Sequence, residues 1–246
     1  MAWSFFTHSG IAIAALDSLE QETLDSLRGS VPTLLFKRWI GFQASFVDID
    51  RYFVRDLVPG HSFLLERYPG IERLSMTEIL QLPGMKRNAF GALVIAYYEL
   101  RELNRLGDFA GASYAMARMF HFASDLTMPL HVVRNGDGQF TGQSGLHMRI
   151  ESVAGNLFFN RRLLPAFRPE VFSDDEIPVI LIESIRKSMS QTEVFEVADS
   201  RRLSEPFYRY SELWKEIEDA FIEATGRAAF LCASLLVSSI AQSPIE

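Results

Sequence analysis

Apolar residues recur at helical spacing along nearly the whole of this 246-residue chain, as they do in amphipathic helices that pack on a common core. No run of useful length alternates apolar with polar residues, and the sequence contains no internal repeat. The clearest loop is the glycine-rich stretch RNGDGQFTGQSG at 134–145. The sequence therefore predicts an all-α fold, built as a single mostly helical domain over residues 1–246.

The limits of the individual helices follow from the apolar periodicity and from proline and glycine breaks. Gly107 and Asp108 are predicted to join an antiparallel pair of helices, and Gly226 is a possible break in the last helical region. The predicted helical regions are 8–28, 32–54, 77–80, 88–105, 109–126, 146–164, 174–190 and 205–240.

Composition limits the classes of protein to consider. Hydrophobic residues make up 48% of the chain and charged residues 22%, a balance typical of globular proteins that excludes disorder as the main state. The formal net charge of −7 argues against a general binder of nucleic acids or of anionic membranes. The single cysteine, Cys232, excludes a disulfide within the chain and a cysteine-based zinc ribbon.

The N-terminal sequence lacks the features of a signal peptide. It has no basic region, and His8 and Asp17 interrupt its apolar stretch. No segment offers 18 uncharged apolar residues, so we expect no transmembrane helix. The expectation is a soluble, cytoplasmic protein, or an exported one if the sequence is a processed or truncated form.

Three of the five histidines lie between positions 121 and 147, each near a spaced carboxylate or another histidine. His121 and Asp125 are four residues apart, as are His147 and Glu151, so each pair shares one face of a helix. His131 lies between the two pairs. Taken alone, each pair is more typical of a surface ion pair, but together these nitrogen and oxygen ligands suit zinc or a similar divalent metal.

The surroundings of Asp125 strengthen the metal hypothesis. Asp125 and His131 lie inside the apolar stretch FHFASDLTMPLHVV, which predicts that the Asp125 carboxylate is buried. A buried carboxylate without a partner costs several kcal/mol. Metal ligation would remove that cost, so the residues alone favour a metal site.

The stretch MFHFASDLTMPLHV, followed by SGLHMRIE, resembles the zinc-dependent phospholipase C and S1/P1 nuclease superfamily. The family pattern H-x3-D-x5-H, then a loop, then H-x3-D/E, is carried here by the five ligand candidates named above. The N-terminal WSFFTH matches the family's Trp and His at Trp3 and His8. ASFVDIDR matches the family segment that carries a carboxylate, at Asp48, and the next histidine is His61.

This resemblance implies a cluster of two or three zinc ions in a mostly helical hydrolase domain. Asp48 is the implied catalytic residue, which would orient or deprotonate the attacking water. Because Met1 and Ala2 precede Trp3, the terminal amine that holds the third ion in the family is not that of Trp3, and this ion is the least secure. The implied ligands are Asp48, His61, His121 and Asp125 for the first ion, His131, His147 and Glu151 for the second, and His8, Asp125 and the Trp3 backbone for the third.

Within the superfamily, the final G-x-H-x-x-x-E favours the phospholipase C branch, although the five-residue step from Trp3 to His8 is typical of the nucleases. The function predicted first is a zinc-dependent phosphodiesterase that hydrolyses a phospholipid with metal-activated water. Transient contact with a membrane surface is expected, but no stable nucleic-acid partner. The alternatives are a single-strand nuclease or 3′-nucleotidase with the same metals, and a non-catalytic metal-binding helical module.

Overall fold

The computed structural model describes residues 5–47 and 62–242. Over these residues the chain is helical and contains no strand. The all-α prediction is therefore confirmed for the described residues. The α-helices of six or more residues are α1 (Phe5–Asp17), α2 (Gln21–Arg28), α3 (Thr33–Phe46), α4 (Ser62–Arg67), α5 (Met76–Gln81), α6 (Ala89–Arg105), α7 (Phe109–Thr127), α8 (Glu176–Leu203) and α9 (Tyr210–Ala241).

The antiparallel pair predicted around residues 107 and 108 is formed by α6 and α7. Asn88 caps α6, because its side chain accepts a hydrogen bond from the backbone N–H of Phe90 at 2.8 Å. Asp108 caps α7 in the same way, accepting from the N–H of Gly111 at 3.0 Å. Gly107 makes the intervening turn with a φ of +70°, a conformation that glycine adopts without strain.

Three helical regions differ from the prediction in their limits. The region 8–28 forms two helices. The Ser18 hydroxyl donates to the Ala15 carbonyl at 2.7 Å at the end of α1, and the extended backbone of Glu20 then separates α1 from α2. The helix predicted at 174–190 continues to Leu203, because residues beyond position 190, such as Phe195, still pack into the core. In contrast, α9 runs through Gly226 without a break.

The helix predicted at 146–164 takes an unusual form. Residues Met148–Gly155 are a π-helix, which continues as the short α-helix Asn156–Phe158. A separate 3-10 turn follows at Arg161–Leu163. π-helical segments are rare and occur frequently at functional sites.

The centre of the fold is α7, which packs against α1, α3, α6, α8 and α9. Every residue of α7 from Ala115 to Thr127 is buried. Any polar side chain on this part of the helix is therefore held among the surrounding helices.

One helix, α9, contains an 18-residue window that is long and apolar enough to cross a membrane by length and composition, and 67% of that window is buried inside the fold. A buried core helix of a globular domain passes the same test, so this finding is weak evidence for a membrane span.

Candidate metal centre

The structure brings His8, His121 and Asp125 together as the first candidate metal-binding cluster. One ligand atom from each lies within 4.8 Å of the others. Nε2 of His8 is 3.6 Å from Oδ1 of Asp125, and Nε2 of His121 is 3.4 Å from Oδ2. The two carboxylate oxygens therefore face different histidines. All three side chains are nearly inaccessible to solvent, which excludes the surface ion pair as an explanation of the His121 and Asp125 spacing.

The ring of His121 is oriented by the backbone of α3. Nδ1 of His121 lies 2.9 Å from the carbonyl oxygen of Ala44. A carbonyl oxygen can only accept a hydrogen bond, so Nδ1 carries the proton and donates it. The lone pair of the neutral ring is then on Nε2, which faces Asp125. A backbone carbonyl that fixes the tautomer in this way is the usual outer partner of a metal-ligating histidine.

The position of His8 depends on the close approach of α1 to α3. A Cβ on Gly41 would lie 2.8 Å from the Ser9 hydroxyl and 3.1 Å from the Ser9 carbonyl oxygen. The Ser45 hydroxyl donates to the carbonyl of Phe5 at 2.7 Å. These contacts hold the first turns of α1 against α3, and the His8 ring stacks on that of His121 with centroids 4.2 Å apart.

The second candidate cluster consists of His131, His147 and Glu151. His131 ends the 3-10 turn Pro129–His131, His147 directly precedes the π-helix, and Glu151 lies within it. Nε2 of His131 and Nε2 of His147 are 2.9 Å apart, and they lie 3.2 Å and 2.9 Å from Oε1 of Glu151. Ligand atoms of a tetrahedral zinc site are about 3.3 Å apart when the bonds are about 2.0–2.1 Å long. This cluster is therefore compact enough to hold such an ion.

Glu151 has no solvent exposure, yet neither of its oxygens accepts a hydrogen bond of good geometry from the described residues. Burial alone would raise the pKa of Glu151, but the adjacent His147 and His131 outweigh it and hold the pKa below its usual range. The carboxyl group is therefore anionic at neutral pH. A buried anion facing two imidazole nitrogens fits the chemistry of a divalent metal site.

The two clusters lie on elements that contact each other. Gly155 of the π-helix would place a Cβ 3.2 Å from the Thr7 hydroxyl of α1 and 3.0 Å from the Phe221 ring of α9. The absence of a side chain at Gly155 thus lets the π-helix lie close against the turn that carries His8.

A buried ion pair that the sequence did not reveal anchors the second cluster. Arg149, between His147 and Glu151 in sequence, donates from Nε and Nη2 to the two carboxylate oxygens of Asp199 on α8, each at 2.7 Å. Asp199 is fully buried and also accepts from Nε2 of Gln143 at 3.1 Å. No local motif marks Asp199, because its partner lies 50 residues away in sequence.

Six of the nine predicted metal-site residues are within the described part of the chain, and the structure brings them together as the two clusters. Trp3, Asp48 and His61 lie outside the described residues, so their roles stay predictions. Asp48 is also the predicted catalytic residue, and its role is untested for the same reason.

No protein-family model matches the chain, and no curated protein matches its sequence. Solved structures do match its fold. The alpha toxin from Clostridium absonum superposes with a TM-score of 0.56 at 13% identity, over 98% of this chain and 64% of the toxin. The Clostridium perfringens alpha-toxin from the avian strain SWCP gives a TM-score of 0.52 at 12% identity, over 96% of this chain and 64% of the toxin.

These neighbours define the class of fold. The chain has an all-α fold of the phospholipase C type, as the sequence predicts, and spans about two thirds of the length of the toxins that it resembles. At such low identity the likeness describes the fold, and the chemistry of this chain has to be argued from its own site.

Proposed function

We propose that this protein is a zinc-dependent phosphodiesterase of the phospholipase C type, which hydrolyses the phosphodiester bond of a phospholipid. The observation that carries the proposal is the convergence of His131, His147 and the buried Glu151 within 3.2 Å of one another. The structural likeness to the clostridial alpha-toxins supports the fold on which this proposal is built.

The donor set supports zinc as the metal. Both clusters offer only imidazole nitrogens and carboxylate oxygens, which bind zinc well. We propose two or three zinc ions per chain. One ion would be bound by the second cluster. Another would be bound at the first cluster, with Asp48 and His61 as further ligands. A third ion would have Trp3 among its ligands. Zinc bound at these residues would activate water for attack and neutralise charge on the phosphodiester.

The second cluster supports an enzyme over a non-catalytic metal-binding module. Among the described residues it offers three ligands. Three protein ligands with a fourth position for water or substrate are typical of catalytic zinc sites, whereas structural sites are closed by four. The side chains of His131 and His147 are 16% and 20% exposed, while Glu151 is inaccessible. The cluster is therefore reached by solvent from the histidine side.

Each described residue has a definite part in this proposal. The two oxygens of Asp125 would serve two neighbouring ions, since each faces a different histidine. The Ala44 carbonyl, by accepting from Nδ1 of His121, favours the tautomer whose lone pair is on Nε2. Arg149 and Asp199 hold the π-helix in register, so that His147 and Glu151 keep their spacing. Asp48 would position the attacking water and accept its proton.

The test is hydrolysis by one zinc-loaded preparation presented separately with phospholipid vesicles of different headgroups, with single-stranded DNA and RNA, and with a 3′-nucleotide. We expect release of a phosphorylated headgroup and diacylglycerol from at least one phospholipid. Glu151→Gln should abolish this release, and Glu183→Gln, which alters an exposed glutamate of α8, should not. Cleavage of the nucleic acids alone would assign the site to the nuclease alternative, and no cleavage of any substrate would favour the metal-binding module.

A further inference from the structure

Helix α3 is apolar on two opposite faces. Its inner face packs into the core through Phe36, Ile40 and Ala44. Its outer face carries a second apolar row, at the i, i+4, i+7 and i+11 spacing of one helix side. This row consists of Leu35, Trp39, Phe42 and Phe46, and all four side chains are exposed. An apolar face of this size that is left in solvent is typical of an interaction surface.

The outer face continues onto the first residues of α1 through contacts between aromatic rings. The centroids of Phe42 and Phe46 are 4.4 Å apart, those of Phe46 and Phe5 5.6 Å, and those of Phe5 and Phe6 5.7 Å. Trp39 stacks on Phe42 at 6.2 Å. We call these five rings the aromatic patch. Phe6 and His8 lie in the same turn of α1, where Phe6 is exposed and His8 is buried, so the patch covers the outer side of the turn that carries His8.

A groove of about 800 Å³ lies beside the patch, between the end of α2, the outer face of α3 and the start of α7. Leu35, Trp39 and Phe42 of α3 line it together with Phe109 and Tyr114 of α7. Its only charged lining residues are Arg28 and Arg38, and Arg38 makes no ion pair within the described part of the chain. Arg28 is paired with Asp25, so Arg38 supplies the unpaired positive charge of this lining, although the whole chain has a net charge of −7.

We propose that the aromatic patch and this groove form a docking surface for a phospholipid bilayer that contains anionic lipids. Tryptophan and tyrosine with an apolar body and a polar edge are enriched where proteins meet the lipid–water interface. Arginine side chains beside such rings attract anionic headgroups. Both features are present here, on the outer side of the turn that carries His8. This inference rests on the proposed phospholipid substrate.

A second copy of the chain is a less suitable occupant. In a two-fold symmetric dimer the same patch would face itself, which would bring the unpaired Arg38 of one copy towards Arg38 of the other. Like charges placed opposite each other across an interface oppose association. A lipid surface with negative headgroups meets Arg38 with the complementary charge.

The test is co-sedimentation of the zinc-loaded protein with vesicles of phosphatidylcholine, with and without phosphatidylserine. Leu35 and Trp39 are 57% and 52% exposed, so the double variant L35Q/W39Q should keep the fold. We expect it to lower the vesicle partition coefficient at least about tenfold. The matched control is V171Q/F207Q, which replaces two apolar residues that are 60% and 81% exposed elsewhere, and it should bind like the wild type.

A charge variant tests the role of the arginine. R38Q should weaken binding to vesicles with phosphatidylserine and leave binding to pure phosphatidylcholine unchanged, whereas R168Q, at another exposed arginine, should change neither. Equal binding of L35Q/W39Q and the wild type would overturn the proposal. The proposal would also be overturned if the wild type did not bind vesicles, or if it formed a dimer in solution that the L35Q/W39Q substitutions disrupt.

Hydrolysis is scored separately in the same samples, so the two claims can fail independently. Wild-type binding that L35Q/W39Q abolishes, without any lipid cleavage, would support the docking surface and contradict the proposed function. Cleavage of vesicle lipid at equal rates by the wild type and L35Q/W39Q would support the function and overturn the docking surface.

Discussion

The Nε2 atoms of His131 and His147 lie 2.9 Å apart, and both face the same carboxylate oxygen of Glu151. Two imidazole nitrogens this close to a buried carboxylate oxygen suit the ligands of one divalent cation. The first cluster differs in form, since the two oxygens of Asp125 point to separate histidines. Glu151 is therefore placed to bind one ion, whereas Asp125 is placed to bridge two.

The first prediction concerns Glu151, the inaccessible carboxylate of the second cluster. Glu151→Gln keeps the size of the side chain but replaces an anionic oxygen ligand by a neutral amide. We expect the loss of about one zinc equivalent and a fall in hydrolysis of at least about 100-fold. Elemental analysis and headgroup release measure the two effects. An unchanged zinc content, with Glu183→Gln as the control, would remove Glu151 from the ligand set.

The second prediction concerns Asp125. The two oxygens of Asp125 face His8 and His121 separately. Asp125→Asn should therefore weaken the binding of more than one zinc ion, and it should lower the zinc content and the activity together. Asp219→Asn, at an exposed aspartate of α9, is the matched control. If the Asp125 variant kept its full zinc content, the bridging role would be wrong.

The third prediction concerns the ion pair that anchors the π-helix. Asp199→Asn leaves the Arg149 guanidinium, whose side chain is only 13% exposed, without its anionic partner. We expect the free energy of unfolding to fall by about 3 kcal/mol, and zinc to bind more weakly because His147 and Glu151 flank Arg149. Urea unfolding and zinc competition with a chelator measure these effects.

The control for this variant is Glu102→Gln, which breaks the exposed pair between Glu102 and Arg105 and should change stability little. A similar effect of Asp199→Asn and Glu102→Gln would contradict the anchoring role. Destabilisation by Asp199→Asn with unaltered zinc affinity would limit Asp199 to a purely structural role.

The fourth prediction concerns Cys232, whose thiol is fully buried on α9. Burial raises its pKa to about 12, so the folded protein keeps the thiol neutral and the native state should react only slowly with thiol reagents at pH 8. Above the pKa of an exposed thiol, about 8.5, the unfolded chain loses this proton while the folded chain retains it. The free energy of unfolding should therefore fall as pH rises from about 9 towards about 12.

Comparison with Cys232→Ala isolates this contribution, because the other alkaline titrations are common to both proteins. The difference in the free energy of unfolding between the wild type and the variant should shrink as the pH rises above about 9. A difference that does not change with pH, or a fast thiol reaction in the native state, would contradict the burial of Cys232.

The sequence predicts local features well in this chain. The helical periodicity predicts the all-α fold, and Gly107 with Asp108 marks the join between α6 and α7. The pairs His121 with Asp125 and His147 with Glu151 are recognisable because a helix places residues four apart on one face. The apolar residues around Asp125 indicate its burial in the same local way.

The features that depend on distant partners could not be predicted in this way. The carbonyl that orients His121 belongs to Ala44, 77 residues earlier. Asp199 has no motif of its own, and the outer face of α3 looks like a core face, since Trp39 and Phe42 have the residue types and spacing of a buried stripe. Only the packing of the helices shows that this face is left exposed.

The central claim of this account is a zinc cluster at the two histidine–carboxylate groups. Elemental analysis of the purified, undialysed protein, expressed with zinc in the medium, tests it most directly. We predict two or three equivalents of zinc per chain, with three indicating that the site at Trp3 and His8 is also filled. A zinc content of zero under these conditions would contradict the cluster and the phosphodiesterase function proposed on it.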